Sequence, residues 1–105
     1  MDYYFFYGTL RSLPVLETVI GRPSSGLVFQ EAFVPHSELR LVMNESFPVI
    51  IFDPRYKGVQ GTLVKGLSNE DISRILFFED VEFSPQKLVA KIEEKNVEAK
   101  YFSQK

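Results

Sequence analysis

"GLVFQEAFVPHSELRLVMNESFPVIIFDPRYKGVQGTLVK" (residues 26–65) decides how this chain folds. Within it, 26–34, 37–43, 47–52 and 58–65 are short runs rich in β-branched and aromatic residues. Pro35, Asn44, Pro48, Asp53-Pro54 and Gly58 punctuate them, as residues that stop strands or turn the chain. Short strands at this spacing, with no long helix between them, predict a curved sheet or small barrel.

Outward from that stretch, "DYYFFY" (2–7) is aromatic at almost every position and stops at Gly8, which reads as a buried first strand. Pro14 suits the first position of a helix, "VLETVI" continues it, and Gly21 stands ready to end it. "GRPSSG" (21–26) reads as a loop inside one domain, 1–105, rather than a boundary. On the other side, Ser68 offers an N-cap, and Glu70 and Asp71 fall in the first turn, where the helix dipole favours acids. That helix should run to about Phe78. Segment 85–95 admits two readings. Ser84-Pro85 stands at a plausible helix start and good helix formers follow, yet Leu88, Ala90 and Ile92 alternate as in a half-buried strand. "VEAKYFS" (97–103) reads as a last strand.

Composition narrows the function classes. A chain of 105 residues, 45% hydrophobic, fits one globular domain with a single core. Ten Phe and five Tyr can make that core dense, since each ring buries a large area. A net charge of −2 offers no attraction for nucleic acid or an anionic membrane. The absence of cysteine removes disulfides, thiolate catalysis and cysteine metal sites. No run approaches the roughly 18 apolar residues of a membrane span. The start lacks the basic region and cleavage site of a signal peptide, so the chain reads as soluble and cytoplasmic. Oligomeric state is not legible.

Two local features carry chemistry. In "DISRILFFEDVEF" (71–83), Ile72, Ile75 and Leu76 form one apolar stripe on a helix, and the next position on it is Glu79. The helix could end before Glu79, leaving it in water, or a buried Glu79 could be satisfied by hydrogen bonds. The third reading is a general base, whose pKa partial burial would raise towards neutrality. The second feature is "YFFYGTLRS", where a buried strand runs into Gly8-Thr9. Successive amides at such a turn can converge on a carboxylate or phosphate. The plain alternative is that Gly8 only makes a turn. Without a second glycine and a Lys-Ser/Thr pair it is no Walker loop.

Together and in this order, the two features resemble the γ-glutamylcyclotransferase-like superfamily, including its AIG2-like and γ-glutamylamine cyclotransferase branches. The opening Tyr-Gly-Thr/Ser-Leu loop of that family is matched by "FFYGTLRS". Its mid-chain "fPxi…v.Ge" pattern is matched by "FPVIIFDPRYKGVQGTL", and its helix ending in aromatic-Glu-Gly by "LSNEDISRILFFEDVEF". The resemblance spans nearly the whole chain. It implies an α+β fold, a small mixed β-barrel with short flanking helices and a cavity at one end. It also implies that the backbone of Tyr7, Gly8, Thr9 and Leu10 holds a γ-glutamyl group, and that Glu79 is the catalytic acid/base. The reaction so implied releases 5-oxoproline from a γ-glutamyl amine or small γ-glutamyl peptide and needs no metal or organic cofactor. Three positions depart from the family pattern: Asp80 replaces the glycine after the glutamate, and Phe83 and Pro85 stand where Tyr and Arg are frequent. A non-catalytic binding or interaction module on the same barrel is the alternative they favour.

Other residues weigh less. His36, the single histidine, lies in a turn-like setting without a Ser or Cys nucleophile, and scattered carboxylates offer no metal spacing. Glu82 could pair with Glu79 in the manner of a glycosidase, though no other carbohydrate feature accompanies it. Lys87, Lys91 and Lys95 read as a solvated face. Arg11 follows the candidate loop and could attract an anion. Tyr3, Tyr4, Phe5 and Phe6 could stack bases on a barrel, but the acidic charge favours core packing.

Overall fold

A strand whose side chains are all large and apolar must be covered on both faces. β1 (Tyr3–Phe6) is such a strand in the computed structural model, which describes residues 2–41, 48–79 and 86–102. Phe5 points into a barrel, with Tyr3 and Tyr7 packed around the same interior. Tyr4 and Phe6 point outward and are buried beneath two helices. The aromatic run therefore separates two cores, one on each side of a single strand.

After a 3-10 turn (Thr9–Arg11), α1 (Leu13–Ile20) carries Pro14 in its first turn. Gly21 ends it in the left-handed region at φ 72, and the Arg74 guanidinium occupies the space where a Cβ would stand. β2 (Val28–Pro35), β3 (Ser37–Leu41), β4 (Pro48–Phe52) and β5 (Gly58–Lys65) follow, then α2 (Asn69–Glu79), β6 (Gln86–Ile92) and β7 (Lys95–Tyr101). The closed barrel has the order β1-β5-β2-β6-β7. All its pairs are antiparallel except β1 with β7, which closes it in parallel, so the barrel is mixed.

Two of the four strands in 26–65 lie outside the barrel wall. β3 and β4 pair only with each other, as a hairpin between β2 and β5. Segment 86–92 is a strand. Leu88 and Ala90 are buried in the barrel, and pairing from Gln86↔Tyr101 to Ile92↔Lys95 overrides the local helix preference. Lys87, Lys91 and Lys95 are exposed on strands rather than on a helix face.

Inside the barrel, Phe5, Ala32, Val34, Leu63, Leu88 and Ala90 share one core. Gly61 makes room for it, because a Cβ there would stand 2.4 Å from the Phe5 ring and 2.7 Å from the Phe6 carbonyl. The second core joins Leu16 and Ile20 of α1 to Ile75 of α2 over the outer face of β1 and β5. A reciprocal cap starts α2. The Asp71 amide donates to Ser68 Oγ at 3.1 Å, and the Ser68 amide donates to the Asp71 carboxylate at 2.9 Å.

Candidate active site at the barrel rim

Strand directions fix what meets at each end of the barrel. β1 and β7 run parallel, β5 runs against β1, β2 against β5 and β6 against β2. One rim therefore gathers the ends of β1, β2 and β7 and the beginnings of β5 and β6. The loop Tyr7–Leu10 leaves β1 at that rim. The end of α2 is directed towards it as well, since residues 80–85 link Glu79 to Gln86 at the start of β6. Topology thus draws the two sequence-predicted elements to one end.

The loop is held from both sides. Tyr7 is half-buried against the barrel interior, 6.0 Å from Phe5 between ring centroids, and its hydroxyl donates to the Phe102 carbonyl at 3.4 Å. Leu10 is buried in the helix-side core, so any ligand contact it makes is through its backbone. Arg11 is clasped to the outer barrel wall. It forms a two-point ion pair with Glu31 at 3.0 and 3.2 Å and donates to Thr62 Oγ1 at 3.2 Å. Hydrogen bonds from Gln60 and Arg11 in turn hold the Glu31 carboxyl below its usual pKa. Arg11 is thus a fastening for the loop, and its charge is already compensated.

Between those anchors lie Gly8 and Thr9. The first amides of any helical turn lack partners within it, and Thr9 and Leu10 supply them here. Nothing stands within 4 Å of the position a Gly8 Cβ would occupy, so the backbone there is open to close approach. Thr9 is exposed.

Glu79 is the last residue of α2, on the helix face shared by Ile72, Ile75 and Leu76; its side chain lies outside the described residues. Ile75 is fully buried and Ile72 and Leu76 are half-buried, so this face does turn towards the barrel. Asp80, Glu82, Phe83 and Pro85 also lie outside the described residues.

A hollow of about 810 Å³ opens elsewhere, between the outer faces of α1 and α2. Pro14, Val15, Thr18, Val19, Phe77 and Phe78 supply most of its lining. On α2, Phe77 with Glu70, Ser73 and Arg74 occupies the face opposite to Glu79, and Phe78 lies on the flank between. Its ionic groups satisfy each other, as Arg74 pairs with Glu70 at 2.9 Å. Its volume is in the range of small-molecule sites, but it lacks convergent polar groups for chemistry.

Sequence reasoning missed the lock at the far end of α2. Asp71 is 3% exposed and receives two hydrogen bonds from Arg22, at 2.6 and 3.1 Å. Donation from Arg22 dominates the lowering of its pKa. The Ser-x-x-Asp spacing signalled the cap, but nothing local signalled a partner 49 residues away. His36 is exposed at the corner between β2 and β3 at φ 57, with its Nδ1 3.1 Å from the Pro54 carbonyl. No metal-binding cluster of His, Cys, Asp and Glu occurs among the described residues. Among those residues, no helix is long and apolar enough to cross a membrane.

Several solved structures share this architecture. An Arabidopsis thaliana protein solved in solution superposes with a TM-score of 0.77 at 13% identity, covering 98% of this chain and 61% of its own. A structure named gamma-glutamyl cyclotransferase gives a TM-score of 0.71 at 11% identity, covering 99% of this chain and 66% of that one. An aig2-like protein from Mus musculus gives 0.71 at 17% identity, with 99% and 77% covered. The chain therefore spans roughly two thirds of the length of these proteins, and at such identities the likeness is one of fold. Comparison with curated proteins finds no matching sequence. The family model for gamma-glutamyl cyclotransferase, AIG2-like, matches residues 4–104, and the chain belongs to that family.

Proposed function

We propose that the chain is a γ-glutamylcyclotransferase acting on a γ-glutamyl amine or small γ-glutamyl peptide, with Glu79 as general acid/base and the backbone of Tyr7, Gly8, Thr9 and Leu10 as the cradle for the γ-glutamyl group. What supports this reading is the chain path, which directs both elements towards one barrel rim. A fastened loop with open backbone at Gly8 arrives from one side, and the last turn of α2 from the other.

The chemistry needs few parts. Glu79 takes a proton from the α-ammonium group, and the freed amine attacks the γ-carbonyl carbon, forming the new C–N bond of a five-membered lactam. A second proton leaves the attacking nitrogen as the tetrahedral intermediate collapses, and the original amide C–N bond breaks. Both protons end on the departing nitrogen, so Glu79 is restored. Amides at the turn are suited to the carboxylate and to the developing oxyanion. Because the attack is intramolecular, orientation can supply on the order of 7–11 kcal/mol of the barrier reduction. No metal or organic cofactor has a step to perform in this scheme.

Mass spectrometry for 5-oxoproline, after incubation with a panel of γ-glutamyl amines and dipeptides, tests the proposal. Glu79→Gln should lower the rate about 10²–10⁴-fold, the usual contribution of a positioned acid/base. Equal product from both proteins would remove Glu79 from the mechanism. Absence of product from the native chain across the panel would favour a binding module on the same barrel.

A further inference from the structure

The β3–β4 hairpin turns one face to the barrel rim. Directly opposed residues on paired strands share a face, and Ser37↔Phe52 and Leu39↔Ile50 are such pairs. Leu39 and Ile50 pack against the barrel core, and Ser37 is buried with its hydroxyl donating to the Val34 carbonyl at 2.7 Å. Phe52 is therefore on the barrel-facing side too. Its ring meets that of Tyr101 edge-on at 5.9 Å, and Tyr101 itself packs against the barrel interior. Strand pairing and this contact fix Phe52 in place, yet it remains 47% exposed.

This corner adjoins the candidate loop. Tyr101 ends β7, the strand beside β1, and the Tyr7 hydroxyl reaches the carbonyl of Phe102 next to it. Four charged groups on the described residues of the hairpin and the turn after it are engaged in pairs. Glu38 pairs with Arg40 at 3.0 Å, and Asp53 pairs with Arg55 at 2.9 Å. Neither acid is left to select a cationic leaving group, nor either arginine an anionic one.

We infer that Phe52 and Tyr101 form the wall on which the leaving amine rests, and that the preferred substrates are γ-glutamyl amides of aromatic or branched apolar amines. This rests on the reaction proposed above and specifies its substrate class. The glutamyl part of such a substrate is ionic and suits the amides and carboxylate of the rim. Its amine part would complete the aromatic corner, covering the open side of Phe52 in the offset or edge-on geometry that aromatic rings favour.

The test compares γ-glutamylbenzylamide with γ-glutamylmethylamide. Native protein should show kcat/KM about 10-fold or more in favour of the benzylamide, as expected for several carbon atoms entering an apolar site. Phe52→Ala should collapse that ratio towards one, and Phe52→Tyr should retain it. The ratio is the readout because both rates scale with the folded fraction, so partial unfolding cancels. Calorimetric titration of both amides into Glu79→Gln separates binding from reaction. Turnover with no preference, or a preference that survives Phe52→Ala, overturns the wall and leaves the cyclisation standing. No turnover, with selective benzylamide binding that Phe52→Ala abolishes, upholds the wall and removes the reaction. Equal, Phe52-independent binding without turnover overturns both.

Discussion

The two faces of α2 are finished to different standards. Towards the barrel, Ile75 is fully buried between α1 and β1, and Asp71 is locked to Arg22. Away from it, Phe77 is 88% exposed over a roomy groove. The outer face mixes Phe77 with Glu70, Ser73 and Arg74, so it is not short of polar groups. What separates them is convergence. The inner face is continuous with a core and ends at Glu79 near the rim, whereas the outer face offers volume and a self-satisfied Glu70–Arg74 pair. A hollow becomes a candidate site when polar groups converge on it, and the groove between the helices fails that requirement.

Ile75→Ala is the strongest blow to the inner face. Removing a fully buried isoleucine loses transfer energy and leaves a cavity, typically about 2–5 kcal/mol for such truncations. Urea denaturation should show that loss. A loss below about 1 kcal/mol would mean the helix repacks freely, and the distinction between the faces would fail.

Asp71→Asn is next, because it keeps the shape but removes the charge that Arg22 grips. Hydrogen bonds to a charged group contribute about 1.5–3 kcal/mol. The pH dependence gives the sign. Arg22 donation holds the folded carboxyl below its unfolded value, so the stabilisation is fully present above the ordinary aspartate range of about 3.9. It fades as pH falls through the depressed folded value. The gap between native and variant melting temperatures should therefore be wide at neutral pH and close under strongly acidic conditions. A constant gap would mean the ion pair does not supply the difference.

Much of the inner face was legible. Period 3.6 put Ile72, Ile75, Leu76 and Glu79 together, and the aromatic first strand announced its burial, which the fold realises on both faces. The barrel was foreseeable from strand spacing and turn residues. Non-local choices were not. Segment 86–92 is a strand because β7 pairs with it through a turn at Glu93, which takes φ 55 without the Gly or Asn that would have signalled it. β3 and β4 read like their neighbours, yet stand apart as a hairpin over the rim, and only the fold brings Phe52 to Tyr101. The mid-chain Gly61 read as part of a family pattern; its physical reason is the ring of Phe5, far away in sequence on β1. Of the site, loop and helix end were visible, while the fastenings at Glu31 and Thr62 depended on side chains brought together across strands.

Phe77→Ser is expected to have the smallest effect and sharpens the comparison most. Phenylalanine and serine have similar helix propensities, and a ring this exposed loses little contact on truncation, so stability should change by no more than about 0.5 kcal/mol. Phe77 occupies the face opposite to Glu79, so 5-oxoproline formation should be unaltered as well. Urea midpoints and the mass-spectrometric assay measure both outcomes on one preparation. A clear loss of stability would mean the outer face is covered in solution and is finished after all. A loss of activity at unchanged stability would tie the groove to the reaction, and the division of labour between the two faces of α2 would have to be redrawn.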